Sequence, residues 1–446
     1  MPNELSTSDQ SVSAQQLPTT PAGRAGIDSL GRFNYWVCAT EGGLYGGALC
    51  FVNSSTLMPP VVRSLGGAVW LVSLIPVMML LGYRLPPIFV AHRIERLRQF
   101  KPLLLGVGLL QRLPYGVAAG VLLRADHNPQ AAIAAVVLAP LCSGLFGGLG
   151  LTAWQRLMLK CIPESRRASL FGIRFGISCV IGIAAGKSVA VILARYPGMT
   201  GYAMLHFCAF ILLMMSYTVF SATREPPDGQ PVPREILGLL DQMRIIPGLL
   251  RGDRQFVRLL LTRFFLCGTY ILSPFLAIHC QAVLHQPDSF LGQLIVVQMV
   301  GAIAGNGVAG WLGDRFSSKV PVLFGVLLLF CMTAWSMAAL TGVEWQVIFF
   351  LFGFGFFASE VGNNTLGLEM GPIEKRATYL AIGSLVYIPG MVSASAISAV
   401  LWNRHQQFSW IAIVTMIWLA IAMGILLPLR ERRHAPSTPE SKEFPL

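Results

Sequence analysis

Long apolar runs separated by short polar breaks occupy the chain from residue 34 onward. They fall at about 34–56, 64–83, 102–123, 131–155, 171–194, 201–221, 257–280, 290–312, 321–341, 345–368, 379–401 and 408–429. Each is long enough to cross a bilayer as a helix, which takes about 20 residues. The pattern predicts an all-α membrane protein with twelve transmembrane helices. Residues 1–30, rich in Ser, Thr, Gln and Pro, lack the basic segment and apolar stretch of a cleaved signal peptide and are expected to be a disordered tail. Prolines mark a break at 223–255, where Ile236, Leu239, Leu240, Met243, Ile246 and Leu250 form an apolar stripe opposed by Arg234, Asp241 and Arg244. That spacing suits an amphipathic helix lying at a membrane surface. The expected organisation is thus an N-tail (1–30), a first six-helix bundle (31–222), a linker (223–255), a second six-helix bundle (256–430) and a C-tail (431–446).

Composition agrees with this reading. Of 446 residues 54% are apolar and 12% charged, against about 25% charged in a soluble domain. Intrinsic disorder, a secreted disulfide scaffold and a water-soluble enzyme are excluded. Basic residues alternate between loops: the first tail, the second-to-third, fourth-to-fifth and central loops, the loops with Arg315 and Lys319 and with Lys375 and Arg376, and the C-tail hold most of them, and we assign Arg84, Arg174 and Arg263 to that set. The opposite loops hold only Arg63, Arg124, Arg195 and Arg404. Lys and Arg are retained on the cytoplasmic side, so both termini are expected there, in a plasma or bacterial inner membrane. The net charge of +12 then faces anionic lipid headgroups, and no nucleic-acid partner is needed.

Two loop signatures repeat. Ala91-His-Arg-Ile-Glu95-Arg96-Leu-Arg-Gln-Phe-Lys101 matches Gly310-Trp-Leu-Gly-Asp314-Arg315-Phe-Ser-Ser-Lys319, and Pro163-Glu-Ser-Arg-Arg167-Ala168-Ser169 aligns without gaps on Pro372-Ile-Glu-Lys-Arg376-Ala377-Thr378. Each pair occupies the same loop of its half, as side-by-side six-helix repeats produce. Gly310, Asp314, Arg315 and Lys319 fit the loop motif Gly-x-x-x-Asp-Arg-x-x-x-Lys/Arg, and on this motif, the span count and the repeat the chain resembles the major facilitator superfamily over about residues 31–430. The first copy departs from the motif at Ala91 and Glu95 and carries one extra residue before Lys101.

The resemblance implies a secondary active transporter of a small organic solute, working as a monomer by alternating access and coupled to protons. A multidrug exporter is the alternative within transport, although the fifth span lacks the Gly-Pro-x-x-Gly-Gly signature of many drug antiporters; a non-transporting membrane sensor or assembly partner is the alternative outside it. It also implies a cytoplasmic gate of Glu95, Arg96, Arg167, Gly310, Asp314, Arg315, Lys319 and Arg376. Physically, a carboxylate suits the exposed N–H groups where a neighbouring helix begins, so Asp314 is expected near Ser169 and Glu95 near Thr378. The alternative is that these charges only fix topology.

Ionisable groups inside spans are costly against lipid and should face protein or water. Glu41 has Cys38 one turn back and Tyr45 one turn on; Glu360 is followed by Asn363 and Asn364 on one face. In the superfamily the first, fourth, seventh and tenth helices line the cavity, so the binding candidates are Glu41, Tyr45, Glu360, Asn363 and Asn364, with Gln155 and Tyr270 behind them. Arg112 binds an anionic group or neutralises one of the acids. A carboxylate in such a site carries a coupling proton or pairs with a cationic substrate; the alternative is one satisfied by a neighbouring helix. Lys187 and Glu369 lie near enough to the interface to snorkel. The nine cysteines are scattered singly, without a Cys-x-x-Cys or Cys/His cluster, so no metal site is expected. No phosphate-binding loop, His-Glu-x-x-His pair or Gly-x-Ser-x-Gly elbow occurs. Neither a cofactor nor an enzymatic activity is expected.

Overall fold

The computed structural model describes residues 21–94, 97–226, 247–370 and 376–431, with side chains except at 21–28, 88, 91–93, 168 and 376–378. Regular structure among those residues is all helical, joined by short turns, without a strand. The first bundle comprises α1 (Pro21–Ala48), a short α2 (Met58–Ser64), α3 (Val69–Arg84) continued after a break by α4 (Pro86–Ile94), α5 (Lys101–Leu122), α6 (Pro129–Cys161), α7 (Glu164–Arg195) and α8 (Met199–Ser221). The second comprises α9 (Arg254–Leu266) continued by α10 (Thr269–Leu284), α11 (Ser289–Arg315), α12 (Lys319–Ser336), α13 (Gly342–Met370), α14 (Arg376–Leu385) continued by α15 (Tyr387–His405), and α16 (Phe408–Leu426).

Joining the broken helices leaves, among the described residues, twelve rods besides the short α2. Ten are long and apolar enough to cross a membrane, and Val69–Arg84 is a shorter apolar one. The remaining rod, α1, is less apolar because Glu41 and the glycine pairs Gly42-Gly43 and Gly46-Gly47 lie in it. It starts at Pro21, ten residues before the expected boundary at 31. Most of the expected linker helix lies outside the described residues; 247–252 are helical.

Helix starts follow from local chemistry. Pro129 begins α6 behind Asn128, whose side chain accepts from the Ala131 N–H, and Asp253 accepts from the Gln255 and Phe256 N–H groups at the start of α9. The capping scheme also exposes the repeat. Glu225, just after α8, accepts from the Phe100 and Lys101 N–H groups opening α5 (3.0 and 2.9 Å). Glu431, just after α16, accepts from the Lys319 N–H opening α12 (3.0 Å). Likewise the Arg224 N–H donates to Asn34 (2.9 Å) and the Arg430 N–H to Gln255 (3.1 Å). Each bundle thus ties its last helix to its first and third at the same end of the molecule, the end that carries residues 21 and 431. A carboxylate at a helix N-terminus satisfies otherwise unpaired donors and meets the positive end of the dipole.

The bundles meet mainly at the other end. There α7 packs on α11 so closely that a Cβ on Gly186 would stand 2.9 Å from the Gly292 carbonyl, which only glycine permits. The Thr56 hydroxyl donates to Gln298 (3.1 Å), the Cys50 thiol approaches the Met299 sulfur (3.6 Å), and Arg63 lies over Trp402 (5.2 Å). Toward the terminal end the same pair of helices separates: a Cβ on Gly172, Gly176, Gly307 or Gly310 would meet nothing within 4 Å. The molecule is closed at one end and open at the end that carries the termini.

Candidate functional site

Six charged residues stand in one layer. Arg174 lies ten residues past the start of α7 at Glu164, Arg112 eleven past Lys101 in α5, Arg263 nine past Arg254 in α9, and Glu360 ten before the end of α13 at Met370. At 1.5 Å per residue these offsets are about 15 Å, half the thickness of a bilayer's hydrocarbon core. Glu41 in α1 and Arg84 at the end of α3 join the same layer through the contacts below.

In the first bundle Glu41 is 6% exposed and held from three other helices. Arg174 of α7 pairs with one carboxylate oxygen at 2.9 Å. Arg112 of α5 stands 3.6 Å from the other, which also lies 3.5 Å from the Ser216 hydroxyl of α8. Arg112 is otherwise committed to the bundle: Nε donates to the Leu213 carbonyl (2.9 Å), Nη1 to the Gly108 carbonyl (2.7 Å) and Nη2 to Ser216 (3.2 Å). Of the sequence's two readings for Arg112, its contacts match the neutraliser. Arg174 also donates to the Cys38 carbonyl (2.8 Å) and lies over Trp154 (5.1 Å). Its guanidinium covers Gly42, in the space any side chain there would need. Gln111 donates to the Tyr45 hydroxyl (2.8 Å). Beside these groups is a cavity of about 160 Å³ lined by Glu41, Tyr45, Tyr83, Gln111, Arg112, Trp154 and Arg174, with Leu104, Val107, Phe146 and Phe220 as apolar wall.

In the second bundle Glu360 is half-buried and within electrostatic reach of Arg84 and Arg263. Arg263 is buried; its Nε and Nη2 donate to the Asn363 side chain (3.1 Å) and carbonyl (3.0 Å). Asn363 in turn donates to the Tyr387 hydroxyl. Arg84 crosses from the first bundle, lies over the Tyr387 ring (4.1 Å) and donates to the Ser384 carbonyl (3.3 Å). Tyr387 therefore sits between two guanidinium groups, one from each bundle, with Arg263 5.7 Å from its ring. Tyr270 lies near Glu360 and against Phe356, ring centroids 6.4 Å apart.

The structure brings together Glu41, Tyr45 and Arg112 in one cluster and Tyr270, Glu360 and Asn363 in the other. Gln155 is exposed and does not line this cavity, a 100° step of the helix away from Trp154, which does; Asn364 is exposed, whereas its neighbour Asn363 makes the contacts. Three arginines assigned to loops lie inside helices. Arg84, Arg174 and Arg263 belong to this charged layer, and with Tyr83, Gln111, Trp154 and Tyr387 they are the residues of the candidate site that sequence reasoning missed. One signal was available: the apolar run of the fifth span already surrounds Arg174, and the paired glycines of the first span mark where α7 comes near.

At the open end the predicted gate residues are apart. Asp314 and Arg315 are exposed, with Arg315 near the Trp311 and Phe316 rings (both 5.9 Å). Lys319 donates to the Leu427 and Leu429 carbonyls (2.7 and 3.2 Å), and Arg167 to the Ile162 and Leu159 carbonyls (both 3.1 Å), each within its own bundle. Ser169, the expected neighbour of Asp314, instead accepts from the Tyr35 hydroxyl (3.0 Å). Gly310 borders open space. Glu95 and Arg96, and the side chains of Arg376 and Thr378, lie outside the described residues. Lys187 is exposed, and Glu369 accepts from the Ser318 hydroxyl (2.9 Å). No group of three or more metal-binding side chains occurs among the described residues.

Comparison with known proteins places this geometry. The family model of the Major Facilitator Superfamily matches residues 43–387 and 258–446. No curated protein matches the chain. Among solved structures it is similar to a mutant of the nucleoside transporter NupG (TM-score 0.68, 11% identity, covering 90% of this chain and 99% of that one). It is also similar to a D-xylose-proton symporter (0.65, 14%, 89% and 97%) and to a bacterial homologue of the iron transporter ferroportin in an inward-facing state (0.62, 11%, 89% and 98%). At these identities the likeness is one of fold.

Proposed function

Because the chain belongs to the Major Facilitator Superfamily, and is an integral, multi-pass membrane transporter, we propose that it is a secondary active transporter that moves a small organic solute by alternating access and couples it to protons through Glu41. The observation that carries this is the Glu41 cluster: a carboxylate at mid-depth, shared by two arginines, on the wall of a cavity. Protonating Glu41 cancels the charge that holds Arg174, so proton binding changes what the cavity offers a solute. The layer lies between two bundles that part toward the terminal end and touch at the other, the arrangement that rocking about a midplane site requires. We place the terminal end in the cytoplasm on the loop charges, which makes the conformation inward-open. In the opposite state Asp314 and Glu95 engage the helix starts of the facing bundle, with Arg96, Arg167, Arg315 and Arg376 completing the latch.

The test is uptake into proteoliposomes, driven by an imposed pH gradient, of solutes that first raise the melting temperature of the purified protein. Gradient-driven uptake that disappears in Glu41→Gln is the expected result. Uptake unchanged in that variant removes Glu41 from the mechanism, and the absence of any flux by a ligand-binding protein removes transport.

A further inference from the structure

We propose that the cavity beside Glu41 selects small organic anions, a carboxylate carried on an apolar or aromatic body, and that the anion and a proton on Glu41 load together. This rests on the transport reading and adds the substrate class and the sign of the coupling.

Charge comes first. Arg112 and Arg174 face a single carboxylate, Glu41, so the cavity wall carries one uncompensated positive charge. In a site shielded from bulk water a cationic solute would add to that charge, and an anion cancels it. The two arginines differ in availability. Arg112 is 5% exposed at its side chain, and each of its guanidinium nitrogens donates to a group of its own bundle. Arg174 is 17% exposed, and both its hydrogen bonds leave from Nη1. Its Nε and Nη2 have no hydrogen-bond partner among the described residues. Those two nitrogens form the edge that takes a carboxylate with two parallel bonds. The rest of the cavity supplies Trp154, Phe146 and Leu104 for an apolar body, with Gln111 and Tyr83 as its polar groups.

The proton follows from the same contacts. Facing Glu41 are Arg174 from α7, Arg112 from α5, Tyr83 from α3, the Ser216 hydroxyl from α8, and Cys38 from its own helix. Glu41 is the only anion in this set. When it takes a proton, Nη1 of Arg174 loses its charged partner and keeps only the Cys38 carbonyl, so the charge of the guanidinium is left for the solute. By reciprocity, a bound anion favours proton uptake at Glu41. Anion and proton therefore occupy the site together and cross together, which is symport; a cationic solute would displace the proton instead.

The full-length protein in detergent tests this by isothermal titration calorimetry with benzoate and phenylacetate against benzylamine and phenethylamine, at about pH 5.5 and about pH 7.5, where both acids remain ionised. Carboxylates should bind and amines should not, with tighter binding at the lower pH. Arg174→Gln should weaken carboxylate binding about ten- to hundredfold, Arg174→Lys should retain part of it, and Glu41→Gln should bind with the pH dependence gone. If Arg174→Gln fails to fold, the double variant Glu41→Gln/Arg174→Gln removes both charges and should lose carboxylate binding as fully. Preference for an amine, no carboxylate binding, binding unaltered in the Arg174 variants, or pH dependence persisting in Glu41→Gln overturns the proposal. Binding needs no flux, so carboxylate binding without pH-driven transport overturns the transport reading alone. Gradient-driven uptake of an amine overturns the anion proposal alone.

Discussion

Replacing Arg112 by leucine should destabilise the first bundle more than replacing Arg174 by glutamine, although both arginines pair with the same carboxylate. Removing one partner of a buried pair costs about 3–5 kcal/mol when the other charge is left bare. In Arg112→Leu, Glu41 keeps Arg174 at 2.9 Å, and the Gly108 and Leu213 carbonyls lie inside helices and keep their backbone bonds. The cost therefore falls at the lower end, about 3 kcal/mol, most of it from separating α5 and α8, which Arg112 joins. In Arg174→Gln, Glu41 keeps Arg112 at 3.6 Å and the Ser216 hydroxyl at 3.5 Å, and glutamine still offers an N–H, so the loss is about 1 kcal/mol. For a unit of this size a kilocalorie shifts the melting temperature by about 2–4 °C, which gives about 6–12 °C for Arg112→Leu and about 2–4 °C for Arg174→Gln. Thermal unfolding of each purified variant in one detergent, followed by tryptophan fluorescence, measures both. An Arg174→Gln shift equal to or larger than that of Arg112→Leu would refute the division of roles between the two arginines.

The remaining expectations concern movement. In Gly292→Leu the first side-chain carbon already stands 2.5 Å from the Gly186 carbonyl, so the closed end should be wedged open, and a cysteine introduced at Ser54 should react faster with a water-soluble maleimide than it does in the parent; an unchanged rate counts against the packing account. Arg84→Ala removes the contact from α3 to Tyr387 and Ser384; transport should fall at least about tenfold while the melting temperature stays within about 2 °C, since the bond is exposed and single, and preserved transport would show that the crossing contact is incidental. Asp314→Asn alters an exposed residue and should change stability by less than about 0.5 kcal/mol. It should nevertheless shift the protein toward the state open at the terminal end, read as faster labelling of a cysteine at Gly172; an unaltered population removes the latch.

The amino-acid sequence determined the membrane class and the all-helical fold, and it pointed to the family through a repeated loop motif, because each depends on local or periodic features. Twenty apolar residues require a helix in lipid wherever they occur, and a loop motif repeats whatever its neighbours do. It also marked Glu41 and Glu360, since an acid within an apolar run is conspicuous. It misread Arg84, Arg174 and Arg263, each lying near the edge of an apolar run, where a long cation is as consistent with the interface as with the interior. Only tertiary packing decides between those, and it did so through absences of side chain. Gly42 leaves room for the Arg174 guanidinium, and Gly367 leaves room for that of Arg263. Packing likewise chose Asn363 over Asn364 and Trp154 over Gln155, neighbours that a 100° step of the helix points in different directions. The pairing of Glu41 with two arginines, and the contact of Arg84 with the opposite bundle, join residues far apart in the chain, and nothing in a linear pattern specifies which distant helix faces which.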